Sequence, residues 1–530
     1  MAKTREDLIK ELLADPNKLK RKKPFTRGAE RNKTIYSSGK RSTVGVGGTV
    51  EVDAPRHNRY IVSQEQFLRE LDPNCHDVLF NENLPSICVK IADGDYRDIV
   101  FDRVALPLQR LLRDEQVIYL TAHPMQHTLI DLEPSEKQQK SFVVFKQYWE
   151  KRNQDGMKNK MVSAQKSMGD AGWLFYFDYN GRIKSRLLTF EDGYVLCPHN
   201  DKNGDRILES VYYVKTEWVD GEERSVEYID SYDDRYMYRY TRNLLEDLDN
   251  NGWVLHKPEE HGFEEIPLIT KRGKVAWDDV VGLINTYEEQ YNIFQAIQRR
   301  FGWGLLYIKG KFKDTAKKIA GNVVLNDTSP QGTGDAKFLT PPSPEGMMDT
   351  LKELFKSIQI GASTTILLPD DIRLSGDVSG LAVQLTKELD ILNAEQAVID
   401  WQNVADKATR LFKYGLAKEL VATGENPTAI TDFEDLHISS KFKVWRPFNE
   451  YEYNQMVTIL SGAGVISKET AIEVNTISKP DEKLRVHKET EEADRKALEL
   501  AQQTAKDNSN NNNEGGETSK SSYKEEGGQE

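Results

Sequence analysis

The sequence predicts an α+β chain of several structural units, organised around a very long helix that a loop interrupts. Three features predict it. Residues 343 to 421 keep a helical apolar period on both sides of a polar break. Residues 173 to 240 read as strands joined by Asn-Gly and Asp-Gly turns. Shorter helical patterns lie on either side of these two regions.

At 530 residues the chain can bury a sizeable core. A share of 38% hydrophobic and 30% charged residues leads us to expect a soluble protein. No apolar run approaches the roughly 20 residues that span a bilayer, so no membrane partner is expected. The start, Met1-Ala2-Lys3-Thr4-Arg5, has no apolar stretch behind it and argues against a secretory signal. Three cysteines, Cys75, Cys88 and Cys197, suit a reducing compartment and cannot build a disulfide framework. The net charge of −13 disfavours tight, static DNA binding, which needs a basic surface, and leaves passing contact with DNA open.

In chain order, residues 1–55 are expected to form a flexible basic arm. Lys18, Lys20, Arg21, Lys22 and Lys23 cluster there, ahead of Gly45-Val46-Gly47-Gly48. Such an arm could hold nucleic acid or a scaffold, but a solvated terminus explains it more simply. Residues 104 to 117 read as a helix, followed by the passage from Ile118 to Met125. Residues 141 to 168 read as one helix or two, with Phe142, Phe145, Tyr148 and Trp149 on the buried face. Two hairpins follow, one around the two-residue turn Asn180-Gly181 and one around Asp220-Gly221. Tyr236, Tyr238 and Tyr240 alternate on one strand face, where cross-strand packing is the simpler account and base stacking the other. Asp278-Asp279 favour a helix start. Val280, Ile284, Tyr287, Tyr291, Phe294, Ile297 and Phe301 then form one stripe.

In the central stretch Leu351, Leu354, Phe355 and Ile358 share a face before the break. Leu381, Leu385, Leu389, Leu392, Trp401, Ala405, Ala408, Phe412 and Leu416 keep the period after it. Ser379 is a candidate N-cap. The second helix would be about 60 Å long at 1.5 Å per residue, which suggests a mechanical element. After Pro427, residues 442–447 read as a strand and helix resumes at Glu450. The Asn- and Gly-rich residues 501–530 cannot bury a core and are expected to be disordered.

Chemistry-bearing motifs are sparse. Gly304 to Lys311 lacks the Walker spacing and its Ser or Thr, and neither Gly-x-Ser-x-Gly nor His-Glu-x-x-His occurs. Cys75-His76 and Cys197-Pro198-His199 have ligand chemistry without paired spacing, and Pro124 separates His123 from His127. Asp233-Asp234, Asp278-Asp279 and Asp370-Asp371 could hold Mg²⁺ in a nuclease, but capping and turn formation explain them. No catalytic, metal or cofactor residue is expected.

Four passages carry a resemblance. Ile358 to Leu385, with Pro369-Asp370 and Ser379-Gly380-Leu381-Ala382, resembles a segment of the portal proteins of tailed double-stranded DNA bacteriophages. There it runs from a stem helix through the tunnel loop into the long wing helix. Val383 stands where that family commonly has Leu. Tyr119 to Pro124 looks like the family's Tyr-Leu-x-Gly-x-Pro, with Ala122 for the glycine. His261 to Leu268 resembles its Gly-x-x-Pro-hydrophobic passage. Gly464 to Ala471, then Lys479-Pro480-Asp481-Glu482, resembles its C-terminal passage.

The resemblance spans residues 100 to 490 and implies an α+β, portal-like ring subunit. Its parts would be a mixed α/β wing (56–275), a stem helix (276–302) and a small α/β clip (303–342). A second stem helix (343–361), a tunnel loop (362–378), a long kinked helix returning to the wing (379–448) and a helical crown (449–500) would follow. It implies a homo-oligomeric ring, typically a dodecamer, through which double-stranded DNA passes without sequence specificity. The implied partners are the terminase large subunit, the major capsid and scaffolding proteins and a head-tail adaptor. The implied location is the capsid portal vertex of the virion, with assembly in the host cytoplasm. Lys352, Lys356 and Gln359 would be channel-lining candidates. Asp370, Asp371, Arg373, Ser375, Gly376, Asp377 and Ser379 would be tunnel-loop candidates. Ordinary solvent exposure explains them equally well. Two other classes stay open: a metal-dependent DNA-processing nuclease, and a non-portal scaffold or neck protein.

Overall fold

A computed structural model of the chain describes residues 4–27, 60–82, 84, 86–90, 96–100, 102–131, 133–219, 222–243, 252–302, 305–309, 312–314, 325–327, 335–339, 345–366, 386–446, 450–474, 485–486, 488–492 and 495–499. The chain divides into two compact units. The larger holds residues 1–374 and 386–446, the smaller 375–385 and 447–530.

The larger unit opens with α1 (Arg5–Leu13), whose start is closed reciprocally by Thr4 and Asp7, and α2 (Pro16–Leu19), capped by Asp15. Leu8, Ile9, Leu12, Leu13 and Leu19 lie on a β-sheet against Leu208, Ile229 and Tyr240. This corrects the expectation of a flexible basic arm for residues 4–27. Lys20 lies over the rings of Tyr212 and Trp253. Lys22 is drawn inward to Asp170 at 2.5 Å and Gln64 at 2.6 Å. Burial lowers its pKa against the pull of Asp170. Gly45 to Gly48 lie outside the described residues.

Next come β1 (Phe25–Arg27) and β2 (Tyr60–Val62), which pair, then α3 (Gln64–Leu71), α4 (Asp77–Phe80), and β3 (Ser86–Lys90) paired with β4 (Tyr96–Val100). α5 (Leu108–Thr121) starts and ends later than expected, absorbing Ile118 to Thr121, because Tyr119 and Leu120 continue its buried face. After β5 (Gln126–Leu129), residues 136–168 form two helices, α6 (Glu136–Lys151) and α7 (Gln154–Met168). Asn153 divides them. It adopts φ +49°, and its side chain accepts the Gly156 N–H.

The sheet region follows: β6 (Asp170–Phe177), β7 (Ile183–Leu188), β8 (Val195–Asn200), β9 (Arg206–Val219), β10 (Glu222–Tyr232), β11 (Tyr236–Asn243), β12 (Val254–Leu255), β13 (Glu259–Glu260) and β14 (Leu268–Arg272). One antiparallel sheet runs β12-β11-β10-β9-β8 with β13 also on β11, and a second runs β14-β6-β7. The first hairpin is not the two-residue turn expected. Asp178 and Arg182 close a three-residue loop, with Gly181 at φ +71°, and Asp178 Oδ1 accepts the Asn180 and Arg182 N–H groups. The tyrosines of β11 pack and bond: Tyr240 is buried with its hydroxyl on the Leu13 carbonyl, and Tyr238 donates to Asp233.

α8 (Val281–Gly302) and α9 (Glu345–Ala362) flank four short strands, β15 (Leu305–Lys309), β16 (Phe312–Asp314), β17 (Leu325–Asp327) and β18 (Asp335–Leu339). These pair in nested fashion, β15 with β18 and β16 with β17. α10 (Glu388–Ala422), α11 (Ala429–Glu434) and β19 (Ile438–Lys441) complete the unit. β19 pairs antiparallel with β5, joining Ile438 to Leu129. The strand expected at 442–447 therefore lies earlier in the chain. Phe442 instead packs on Trp401, and the Trp445 N–H donates to the Tyr119 carbonyl.

The main core gathers α6, α7, β6, β7, α10 and α11. Trp149 contacts Phe145, Trp173 and Phe412. Gly415 is required there, since a Cβ would stand 2.1 Å from Ile183 Cδ1. In the smaller unit, α12 (Glu450–Gly462) turns through Gly464 at φ +71°. α13 (Lys468–Val474) then starts at Ser467, whose hydroxyl accepts the Thr470 N–H at 3.1 Å.

Candidate functional site

α8 and α9 run antiparallel on a shared apolar seam. Ile284 and Ile358 are buried in one cluster with Val280 and Val281, and the Tyr287 and Phe355 rings lie 6.0 Å apart. At the end of the seam the helices nearly touch, because a Cβ on Gly361 would meet Val280 Cγ1 at 2.7 Å.

Polar contacts fix the base of α8. Glu288, 1% exposed, accepts the Leu106 N–H and faces His76 Nδ1, both at 2.8 Å. His76 Nε2 faces the Glu70 carbonyl at 2.9 Å. Both ring nitrogens thus meet acceptors, which favours the imidazolium. Burial works against that charge, but the bond to Glu288 prevails and raises the pKa. Arg27 binds Glu70 and Asp278, and Trp277 Nε1 donates to Glu70. Asp278-Asp279 therefore do not cap a helix. They precede α8, and Asp279 is held by Lys274 at 2.8 Å.

α9 presents Lys352 and Lys356 on an exposed face, with Asp349 3.6 Å from Lys352. Gln359 is set apart from them. Half-buried, it turns its side chain towards the Ile366 carbonyl at 3.5 Å, and its own carbonyl accepts the Thr364 N–H. Asp370, Asp371, Arg373, Ser375, Gly376, Asp377 and Ser379 lie outside the described residues, as does the expected N-cap role of Ser379.

The two ends of that stretch meet in one polar junction. α9 closes through Ser363 in a left-handed conformation (φ +49°), whose carbonyl accepts from Asn393 at 3.1 Å. The Thr365 N–H donates to Asp390 Oδ1 at 2.9 Å. Lys387 donates to the Thr365 carbonyl and to Glu115 Oε2, the latter at 2.9 Å. Tyr119 reaches Asp390 Oδ2 at 3.3 Å, and Gln116 binds Ala276, Ala362 and Thr364. Burial, above all, raises the Asp390 pKa. A cavity of about 230 Å³ opens among these groups, and its carboxylates, Asp279 and Asp390, are both engaged.

Tyr119 and Asp279 were named from the sequence for other reasons, whereas Lys387 and Asp390 were not singled out, though a signal exists. Asp390 falls on the same helical face as Ala394, Trp401 and Ala405. A charge in an apolar stripe needs a partner.

The arrangement is a clamp, with no nucleophile–base pair. Among the described residues no three His, Cys, Asp or Glu side chains are placed to hold a metal. Cys75 lies 3.6 Å from Asp72, His199 bonds the Leu19 carbonyl, and His127 pairs with Ser440. Asp233 caps a turn at Arg235 and Tyr236, and Asp234 pairs with Arg5.

Helix, nested strands, returning helix and long helix follow one another in the larger unit, and one family model covers this whole stretch. The model described as "Phage portal protein, SPP1 Gp6-like" matches residues 72–503. The chain belongs to this phage portal family. The portal α+β fold and the class of virion structural protein follow with it. No curated protein sequence matches the portal chain. Among solved structures, a chain of the virion of a native gene transfer agent particle aligns at 12% identity. The alignment covers 68% of this chain and 86% of that one, with a TM-score of 0.31.

Proposed function

We propose that the portal chain closes into a ring at one capsid vertex, through which double-stranded DNA enters during packaging and leaves at ejection. The family match over residues 72–503 carries this reading. In it α8 and α9 are the stem, residues 303–342 the clip, residues 362–378 the tunnel loop, and residues 449–500 the crown. Lys352 and Lys356 line the channel, spaced one helical turn apart, and the tunnel-loop candidates approach DNA from the break. The net charge of −13 suits a conduit, since a largely acidic subunit does not hold DNA fast. The ring is no enzyme. Force comes from a terminase, and capsid, scaffolding and head-tail adaptor proteins dock around it. Assembly takes place in the host cytoplasm and the product resides in the virion.

Native mass spectrometry with negative-stain imaging of the purified chain tests this. About a dozen 60.6 kDa subunits around a central hole are expected, as cyclic closure requires. A persistent monomer that cleaves DNA with Mg²⁺ would overturn the proposal in favour of the nuclease. With rings in hand, Lys352→Glu combined with Lys356→Glu should leave ring mass unchanged and reduce DNA packaged per head. Unchanged packaging would remove these lysines from the channel.

A further inference from the structure

Groups from separate parts of the chain meet at the base of α8. Arg27 of β1 holds the Glu70 carboxylate through two bonds, and Trp277 Nε1 donates to it as well. The Glu70 main-chain carbonyl lies in the last turn of α3, where carbonyls lose their intrahelical donors. It faces His76 Nε2 at 2.9 Å instead. On the other side of the ring, His76 Nδ1 meets Glu288 Oε1 at 2.8 Å, and the same oxygen accepts the Leu106 N–H. Both His76 and Glu288 are buried, so water does not substitute for either contact.

A neutral imidazole carries one N–H and one lone pair, and a lone pair aimed at a carbonyl oxygen repels it. Both contacts therefore hold together only in the imidazolium. Burial opposes that charge, while Glu288 on α8, the Glu70 carbonyl and the Asp72 carboxylate after α3 favour it. The other charges nearby are engaged. Arg27 is neutralised by Glu70 and Asp278, Asp77 faces Arg69 at 3.8 Å, and Arg103 donates to the Leu79 carbonyl. Arg110 acts on Asp72. When the ring loses a proton, the remaining N–H goes to the stronger acceptor, the buried carboxylate. The Glu70 carbonyl is the contact given up. A second hold on α8 is untouched by this step. Asn292 Oδ1 accepts the Val104 N–H at 2.8 Å, and Asn292 Nδ2 donates to the Val104 carbonyl at 2.7 Å.

We propose that His76 is a pH-sensitive latch, which caps the end of α3 when protonated and lets that turn fray when neutral. A cation suits the negative end of a helix, so the cap is doubly matched to its charge. Fraying starts at residues 70–76 and reaches Glu70, whose carboxylate binds Arg27 and Trp277. The seating of β1 and α3 beside α8 thus depends on pH, while residues 104–106 stay docked on it.

Hydrogen exchange of the wild-type full chain, by mass spectrometry and corrected for the intrinsic rate at each pH, tests this. Exchange in peptides covering residues 68–76 should be level below about pH 6.5. It should then rise by up to about tenfold per pH unit as far as the titration point of His76 in the folded chain, and level off above it. Peptides covering Val104 and Leu106 should not change over that range. The slow exchange of the His76 Cε1 hydrogen, followed in the same samples, should place the ring's titration point at the end of the rise. His76→Gln should leave residues 68–76 equally open at every pH. A wild-type profile without the rise would overturn the latch, as would a rise that ends away from the ring's titration point or survives in His76→Gln. A parallel rise at Val104 and Leu106 would overturn it too, since the whole base of α8 would then be opening.

Discussion

Lys387→Met tests the junction that ties the end of α9 to the start of α10. The lysine is 8% exposed in its side chain, and the Asp390 carboxylate 3.8 Å away is 3% exposed. Removing one partner of a buried pair typically costs about 3–5 kcal/mol, because the other charge is stranded. Asp390 can limit this by taking up a proton. Its pKa is already raised, chiefly by burial. A carboxyl whose folded pKa is raised contributes stability that is full below its unfolded value of about 3.9 and is lost as pH rises through the folded value. Without Lys387 the folded value climbs further, and each pH unit between the unfolded and the folded value costs about 1.4 kcal/mol. The variant's deficit should therefore be greatest near pH 8 and shrink on acidification. The reporter is the Thr365 N–H, which donates to Asp390. Hydrogen exchange by mass spectrometry, taken as variant over wild type at each pH, should accelerate about a hundredfold near pH 8 for a local loss of about 3 kcal/mol. Equal exchange at all pH values would refute the clamp.

Three further outcomes follow from the same structure. Ile358→Ala deletes three carbons from a fully buried site at the α8–α9 seam, about 2.4 kcal/mol of transfer plus a cavity, or about 3–4 kcal/mol in all by chemical denaturation. Because the folded pKa of His76 is raised, its stabilisation is full below about pH 6.5 and is lost as pH rises through the raised value. Melting temperature should fall over that range, and His76→Gln should flatten the slope. Gly415→Ala forces a methyl to 2.1 Å from Ile183, so the variant should lose about 1–3 kcal/mol despite alanine's better helix propensity, measured by thermal melt.

The helices of the α8–α9 pair and of α10 were legible because Ile284, Ile358, Trp401 and Phe412 repeat at helical spacing and all end up buried. Hidden features depend on partners far along the chain. Lys22 looked like part of a solvated basic run, yet Asp170 draws it in, and His76 finds Glu288 212 residues away. The run from Phe442 to Pro447 suggested a strand, but β5 offered its edge to Ile438–Lys441 instead. Asp278-Asp279 fit a helix start locally and were claimed by Arg27 and Lys274. Of the site candidates, Lys352 and Lys356 were placed by period alone. Gln359 was not, because the turn after α9 captures it.

The pairing of β5 with β19 also sets a timetable. His127 meets Ser440 in the main core across 313 residues of chain. At the usual 5–20 residues per second of synthesis, β5 waits roughly 15–60 s for its partner strand to emerge from the ribosome. Until then Phe145 and Trp149 lack the α10 surface that covers them, and the nascent chain must be shielded from its neighbours on the same message. The core of the larger unit therefore closes only after most of the chain has been made.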